Sequence, residues 1–487
     1  MISRFLKDGA IYAVSGILTR GLSFFLLPLY TRIFSPSDYG ALDMLLTFGT
    51  LVHLTVALEI SQGMARYYGD SPDENSRNAY GTTAFWFTLF AYSVFLIVGL
   101  CFAERLSYLV IGRHGLENLF RLGLFNLWIN GLFNILQGQF RWGLNSRKYA
   151  VASMIVAIAS TSGSIVLAYG LAWGLYGVIA GLAAGAFFGL CYALSNLRHS
   201  LKFHVDLSRL KEMLRFSLPL IPSSVAVFTA YYIDRFMIRH FLSLDDVGIY
   251  GVAFRLASVT SLIMVGFQMS LTPLIMTHYR EKETPAHIAA IFRIFVAFSL
   301  VLFMGLGLFA KEILFVMTTP EYYDAAIIVT FLTPAILLSN MYIFAPGTGI
   351  AKKTLHILWI NVMGAILNIL LNLVMIPAFG IIGACIATLI NYGCVFAAYV
   401  ITGQRLYPVP YDWKILARAT LAAVLLVIAG LQFDSWLTAD FALKSLLMLA
   451  GCAMIVFFRL VSPDELRNAK KVLSSKLLTT RPEVDEI

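Results

Sequence analysis

Six ionisable side chains stand inside, or at the ends of, stretches that are otherwise apolar: Arg20, Glu59, Arg66, Asp234, Arg235 and Arg255. Charged groups are costly in hydrocarbon, so each marks a site by default. A guanidinium stays charged when taken out of water and holds two phosphate oxygens at once. A carboxylate alone in apolar surroundings takes up a proton, and one beside an arginine stays ionised. The deep arginines Arg20, Arg235 and Arg255 outnumber the deep carboxylates Glu59 and Asp234. That excess suits an anionic ligand, where a cation exporter would show surplus carboxylates. Arg20, Arg255, Arg235 and Arg66 are therefore candidate phosphate-binding residues. Glu59 and Asp234 are candidates for ion coupling or for structural pairing.

Each reading has a structural alternative. Arg20 could snorkel, although it is deep. Arg255 lies about 12 Å into its stretch by helical rise. Asp234, Arg235 and Arg255 sit on two stretches joined by a short turn and could form an ion pair that ties them. Arg66 is also explained by the preference of basic residues for one membrane side. His53 reads as a hydrogen-bonded core histidine, and Asp43 as a solvated residue at a membrane edge.

The elements that must position these groups follow from composition. Of 487 residues, 59% are hydrophobic and 13% charged, against roughly 25% charged in soluble domains. A soluble enzyme, a disordered regulator and a disulfide scaffold are excluded. Hydrocarbon about 30 Å thick takes about 20 residues per helical crossing. Fourteen stretches qualify: 9–33, 40–65, 80–103, 116–140, 149–170, 174–197, 213–239, 247–277, 286–310, 323–347, 354–376, 380–403, 412–433 and 440–460. All must be helices, because lipid offers backbone groups no other partner. The fourth carries Asn126, Asn130 and Asn134 and is the least regular. No P-loop, dinucleotide fingerprint, zinc spacing or nucleophile elbow is present, so no cofactor or metal is expected. The longest outer loop, near 104–115, is too short to hold a catalytic domain, which argues against an enzyme.

With the N-terminus inside, 25 of the 36 lysines and arginines fall on the inner side and six outside, and five lie within or near the spans. This bias places both termini in the cytoplasm. It also accounts for the net charge of +9 without a nucleic-acid partner. Three pairs of segments match at a shift of 206–208 residues. Phe34-Ser35-Pro36-Ser37-Asp38-Tyr39-Gly40 matches Leu242-Ser243-Leu244-Asp245-Asp246-Val247-Gly248. Gly143-Leu144-Asn145-Ser146-Arg147-Lys148 matches Gly349-Ile350-Ala351-Lys352-Lys353-Thr354, and Gly174-Leu175-Tyr176-Gly177 matches Gly380-Ile381-Ile382-Gly383. Six spans separate equivalent points, so the repeat is parallel, a transporter plan with a site between two lobes. The expected organisation is an N-lobe of helices 1–6 over 1–197, a cytoplasmic linker over 198–212 and a C-lobe of helices 7–12 over 213–404. Helices 13–14 over 405–461 and an amphipathic cytoplasmic tail over 462–487 follow. Gly177, Gly181, Gly185 and Gly189 form a helix-packing stripe. Cys101, Cys191, Cys385, Cys394 and Cys452 read as core residues.

Several segments resemble a known family. Phe5-Leu6-Lys7-Asp8-Gly9-Ala10, Leu27-Pro28-Leu29-Tyr30-Thr31-Arg32 and Ser35-Pro36-Ser37-Asp38-Tyr39-Gly40 resemble the start of bacterial polysaccharide exporters. Tyr232-Ile233-Asp234-Arg235-Phe236-Met237-Ile238 and Val247-Gly248-Ile249-Tyr250 resemble their seventh and eighth spans. These are the O-antigen and exopolysaccharide repeat-unit flippases, of the superfamily that holds the lipid II flippase and the multidrug extruders. The resemblance implies two lobes in a V, alternating access and a cationic cavity in a bacterial inner-membrane protein. It implies a polyprenyl-diphosphate-linked oligosaccharide as substrate, moved from the cytoplasmic to the periplasmic leaflet. It places Arg20 and Arg255 where related lipid flippases carry cavity arginines, and it implies coupling to a proton or sodium gradient. A polysaccharide polymerase and a chain-length regulator are the partners to expect. A cation-coupled multidrug antiporter of the same fold is the alternative.

Overall fold

The computed structural model describes residues 24–71, 73–203, 205–261, 278–433 and 438–460, with single positions 16, 21, 264, 267, 268, 271 and 275. Arg20, most of the stretch 9–33, part of 247–277 and the tail 462–487 lie outside the described residues. What is described is helical. In chain order come α1 (Leu27–Ile33), α2 (Pro36–Thr55), α3 (Ile60–Asp70), α4 (Glu74–Cys101) and α5 (Ala103–Ile111). Then follow α6 (Glu117–Trp142), α7 (Ser146–Ser164), α8 (Gly174–Leu197), α9 (Leu207–Ser217), α10 (Ile221–Phe241) and α11 (Leu244–Ala257). The chain ends with α12 (Thr284–Met317), α13 (Ala325–Asn340), α14 (Thr354–Leu406), α15 (Trp413–Gly430) and α16 (Thr438–Phe457).

Among the described residues, 10 helices are long and apolar enough to cross a membrane, or 11 if the bent pair α2 and α3 is one span. The chain is a multi-pass membrane protein. The expected count of fourteen is not reached on this measure. One reason is α14, whose 53 residues would extend about 80 Å as a straight helix. It is folded at Gly380, which has φ 60 and ψ −142. Beyond the turn its arms pack antiparallel: a Cβ on Gly383 would strike Met375, and Tyr399 donates to Asn361 at 3.1 Å. The matching segment at Gly174, φ 57, turns α7 into α8 in the same way. There Gly181 and Gly185 press onto α7 and Gly177 onto the segment Ile165–Gly170 that continues it, so close that a Cβ would strike backbone. The stripe is a packing face, as its spacing predicts.

Two departures from expectation are local. The fourth stretch is one unbroken helix, α6, with Asn126 buried in it. The second is broken instead: α2 and α3 meet at 47°. Leu58 and Glu59 at the break both have positive φ, 52 and 53, a conformation that costs non-glycine residues energy. The cysteines are free, and Cys101, Cys191 and Cys394 are exposed rather than core, since their helices turn that face outward.

Three apolar cores hold the molecule. One is built from α2–α4 and α6–α8 and closed by Met213 of α9. A second is built from residues 264–460. The third joins the two groups of helices at one end, where Leu27, Tyr39 and Leu42 meet Val247, Tyr250 and Tyr322. This closed end is stitched by polar groups reaching across. The Tyr322 hydroxyl donates to the Phe34 carbonyl at 2.8 Å, and burial raises its pKa, so it remains a donor. Thr31 donates to the Met317 carbonyl at 3.1 Å. Arg239 of α10 donates to the Tyr108 carbonyl at 3.0 Å, capping the C-terminal end of α5.

Candidate functional site

The site is built where α2 meets α10 and α11. Both α2 and α11 start on a serine N-cap: Ser35 accepts from the Asp38 N–H, and Ser243 forms a reciprocal capping box with Asp246. One turn on, the two helices touch at Gly40 and Gly248. A Cβ on Gly40 would strike the Leu244 carbonyl, and one on Gly248 would strike the Pro36 carbonyl. The contact is reciprocal, between positions that match in the sequence repeat.

This approach draws Asp43 into the interface. Its carboxylate lies 3.1 Å from where a Cβ of Gly251 would stand. Arg235 of α10 donates from Nε to Asp43 Oδ2 at 2.6 Å, with the arginine side chain 3% and the aspartate 15% exposed. Its place near a span end predicts a solvated Asp43; the structure instead largely buries it, because the helix crossing covers it. Arg235 also donates to the Tyr231 carbonyl at 3.3 Å and lies over the Phe254 ring at 4.3 Å.

A cavity of ≈ 480 Å³ opens below this pair. Asp43 and Thr50 of α2, Tyr232 and Arg235 of α10, Arg255 of α11 and Asn340 of α13 line it. A second cavity of ≈ 400 Å³ shares Thr50, Tyr231 and Tyr232 and runs on toward Leu54 and Ser223, away from the closed end. Arg255 is half-buried, lies over the Tyr39 ring at 5.6 Å and has no carboxylate partner among the described residues. The lining thus carries two guanidinium groups against one carboxylate.

The other candidates lie elsewhere. Asp234 does not pair with Arg235 or Arg255, although it neighbours the one and was expected near both. It points into the α10–α11–α14 interface and is 1% exposed. There it accepts from Tyr250 at 2.7 Å, Thr388 at 2.7 Å and Asn372 at 2.9 Å. Asn372 Oδ1 and both side-chain polar atoms of Asn391 are buried without hydrogen-bond partners among the described residues. Glu59 occupies the N-cap position of α3 at the helix break without a side-chain capping hydrogen bond; it is 8% exposed, with no ion-pair partner among the described residues. Arg66 is exposed on α3, pairs with Asp70 at 3.1 Å and does not line either cavity. His53 is hydrogen-bonded to the Tyr92 hydroxyl at 2.7 Å. No group of three or more metal-ligating side chains occurs among the described residues.

A family model described as polysaccharide biosynthesis protein matches residues 29–327, which include Asp43, Arg235 and Arg255 of this cavity. The chain belongs to that family. Among curated proteins of similar sequence, the succinoglycan biosynthesis transport protein ExoT of Rhizobium meliloti (strain 1021) is 28% identical over 278 residues, 55% of this chain and 53% of that protein. The probable low-salt glycan biosynthesis flippase Agl15 of Haloferax volcanii is 22% identical over 267 residues, 53% of this chain and 54% of that one. The alignments span about half the length of these relatives. Among solved structures, the lipid II flippase MurJ in an inward closed conformation superposes with a TM-score of 0.71 over 93% of this chain and 99% of that one, at 15% identity. An inward-facing multidrug-resistance transporter of the MATE family, in the MOP superfamily, gives 0.68 over 79% and 94%, also at 15%. These likenesses show that the chain has the fold of MOP-superfamily transporters.

Proposed function

We propose that this protein flips polyprenyl-diphosphate-linked oligosaccharide repeat units from the cytoplasmic to the periplasmic leaflet of a bacterial inner membrane. The units would feed O-antigen, capsule or exopolysaccharide synthesis. The observation that carries the proposal is Arg255, a guanidinium facing the cavity with no carboxylate partner among the described residues, beside Arg235. A diphosphate satisfies such groups and a cationic drug does not, which sets this reading above the antiporter of the same fold. Transport rather than catalysis is the activity in this reading, and the relatives' names agree.

In this reading fourteen helices form an N-lobe over 1–197 and a C-lobe over 213–404, joined by the linker 198–212, with helices 13–14 over 405–461 added outside. The tail 462–487 and both termini lie in the cytoplasm, so the closed end faces the periplasm. The diphosphate meets Arg66 at the inner leaflet and then Arg20, Arg255 and Arg235 in the cavity. The glycan occupies the aqueous space and the prenyl chain stays in lipid. Rocking of the lobes exchanges access between the two sides. Asp234 is the favoured coupling group, for a proton or a sodium ion, because unpaired amide oxygens lie buried with it. Glu59, at the helix break, is the second. A polymerase and a chain-length regulator would act next on the product.

Substituting Arg255→Ala or Arg20→Ala should abolish surface glycan in a complementation assay, with protein level unchanged on immunoblot. Full display in both variants would remove the site assignment.

A further inference from the structure

We propose that Asp43 is an internal competitor for the ligand's anionic headgroup, and that its displacement from Arg235 unbolts the closed end. The inference rests on the diphosphate reading above and assigns a role to a residue that reading does not use. Asp43 belongs to α2 and Arg235 to α10, so their 2.6 Å ion pair ties the two groups of helices across the cavity. The pair forms one wall of that cavity, within which Arg255 also stands. Gly251 leaves room for the carboxylate, and the Gly40–Gly248 crossing lies one turn beyond it.

A guanidinium has five donors. Among the described residues, two on Arg235 are engaged, one by Asp43 and one by the Tyr231 carbonyl. The Tyr232 and Phe254 rings lie against the faces of the group, and its remaining edge lines the cavity. An anion seated at Arg255 therefore meets Arg235 with donors to offer and with Asp43 as its rival. Breaking a buried ion pair without replacement leaves an uncompensated charge, so thermal motion alone rarely opens it. A headgroup that replaces Asp43 keeps Arg235 neutralised, leaves the Asp43 carboxylate to the water of the cavity it lines, and frees α2 from α10. Binding and unbolting become one exchange, and the closed end parts only when cargo is aboard. Asp43 acts through Arg235 and is a positioning residue.

The test uses the full chain in lipid nanodiscs with Thr31→Cys, a position buried at the closed end. Modification by a hydrophilic maleimide is followed by mass spectrometry of the peptide that carries residue 31. Farnesyl diphosphate is the probe and farnesol its uncharged control, with binding measured separately by radiolabel. Modification should be slow and should rise roughly tenfold with farnesyl diphosphate, as for a ligand that favours the opened form by that factor. Asp43→Asn should start at the raised rate and not respond, while Asp43→Glu should restore both the slow rate and the response. Binding of farnesyl diphosphate with no change in modification overturns the exchange alone. Equal effects of farnesol, or an Asp43→Asn rate as slow as the parent's, overturn it too. Absence of any binding removes the diphosphate reading and the exchange with it.

Discussion

At Arg255 two substitutions separate charge from geometry. Lysine keeps the positive charge but loses the planar fork that grips two phosphate oxygens. Arg255→Lys should therefore leave partial glycan display where alanine leaves none, read as the ladder intensity of surface polysaccharide on a gel. Equal display in the lysine variant and the parent would mean that point charge alone suffices. Asp234→Asn changes charge at nearly constant shape, and the hydroxyls of Tyr250 and Thr388 can still donate to the remaining oxygen. If Asp234 carries the coupling ion, transport in proteoliposomes should become indifferent to an imposed sodium or proton gradient while the protein stays folded. A gradient response as strong as the parent's would assign coupling elsewhere. Arg235 and Arg255 stand out because a guanidinium is rare in an apolar stretch, and both line the cavity; Arg66 carries the same signal but is exposed on α3, away from it. Asp43 was misread because it lies a few residues inside a span, where solvent usually reaches, and only the α2–α11 crossing covers it. The partners of Asp234 gave no signal: Asn372 and Thr388 stand 138 and 154 residues away, and amides and hydroxyls are ordinary in membrane helices.

Among the elements, the glycine contacts make the sharpest claims. Gly40→Ala or Gly248→Ala places a methyl against a carbonyl of the facing helix. Either should wedge the closed end and speed maleimide modification of Thr31→Cys without ligand. Gly393→Ala, where nothing lies within 4 Å of the new methyl, is the matched control and should leave the rate unchanged. Slow modification in both wedge variants would mean that the crossing adjusts and does not hold the end shut. Helix type, most boundaries and the hairpin turns at Gly174 and Gly380 could be read from hydropathy and from repeated glycine motifs. The 47° break between α2 and α3 could not. It has neither proline nor glycine, the usual markers of a kink, and is held by Leu58 and Glu59 in a left-handed conformation that tertiary packing imposes.

For the whole molecule, α15 and α16 pack on α12, on the flank away from the cavity lining. Lys444 of α16 pairs with Glu312 of α12 at 2.6 Å, with the lysine side chain 7% exposed. Glu312→Ala leaves that ammonium buried without its partner, a loss on the order of 3–5 kcal/mol in comparable pairs. The thermal midpoint in detergent should fall clearly, while glycan display at permissive temperature persists. Loss of display at full protein level would instead bring these two helices into the transport path. The repeat predicted two related halves, and matched glycines do meet at the closed end. What the sequence could not convey is which charges pair across that interface, because pairing depends on how one half is seated on the other.

The central claim is transport of a lipid-linked glycan, and leaflet location tests it most directly. In a strain of the source organism lacking this gene, lipids would be extracted and polyprenyl-diphosphate sugars assigned to a leaflet by mass spectrometry with leaflet-restricted labelling. The account expects one complete repeat unit to accumulate on the cytoplasmic side while the matching surface polymer disappears. An unchanged leaflet distribution with the polymer intact would contradict it.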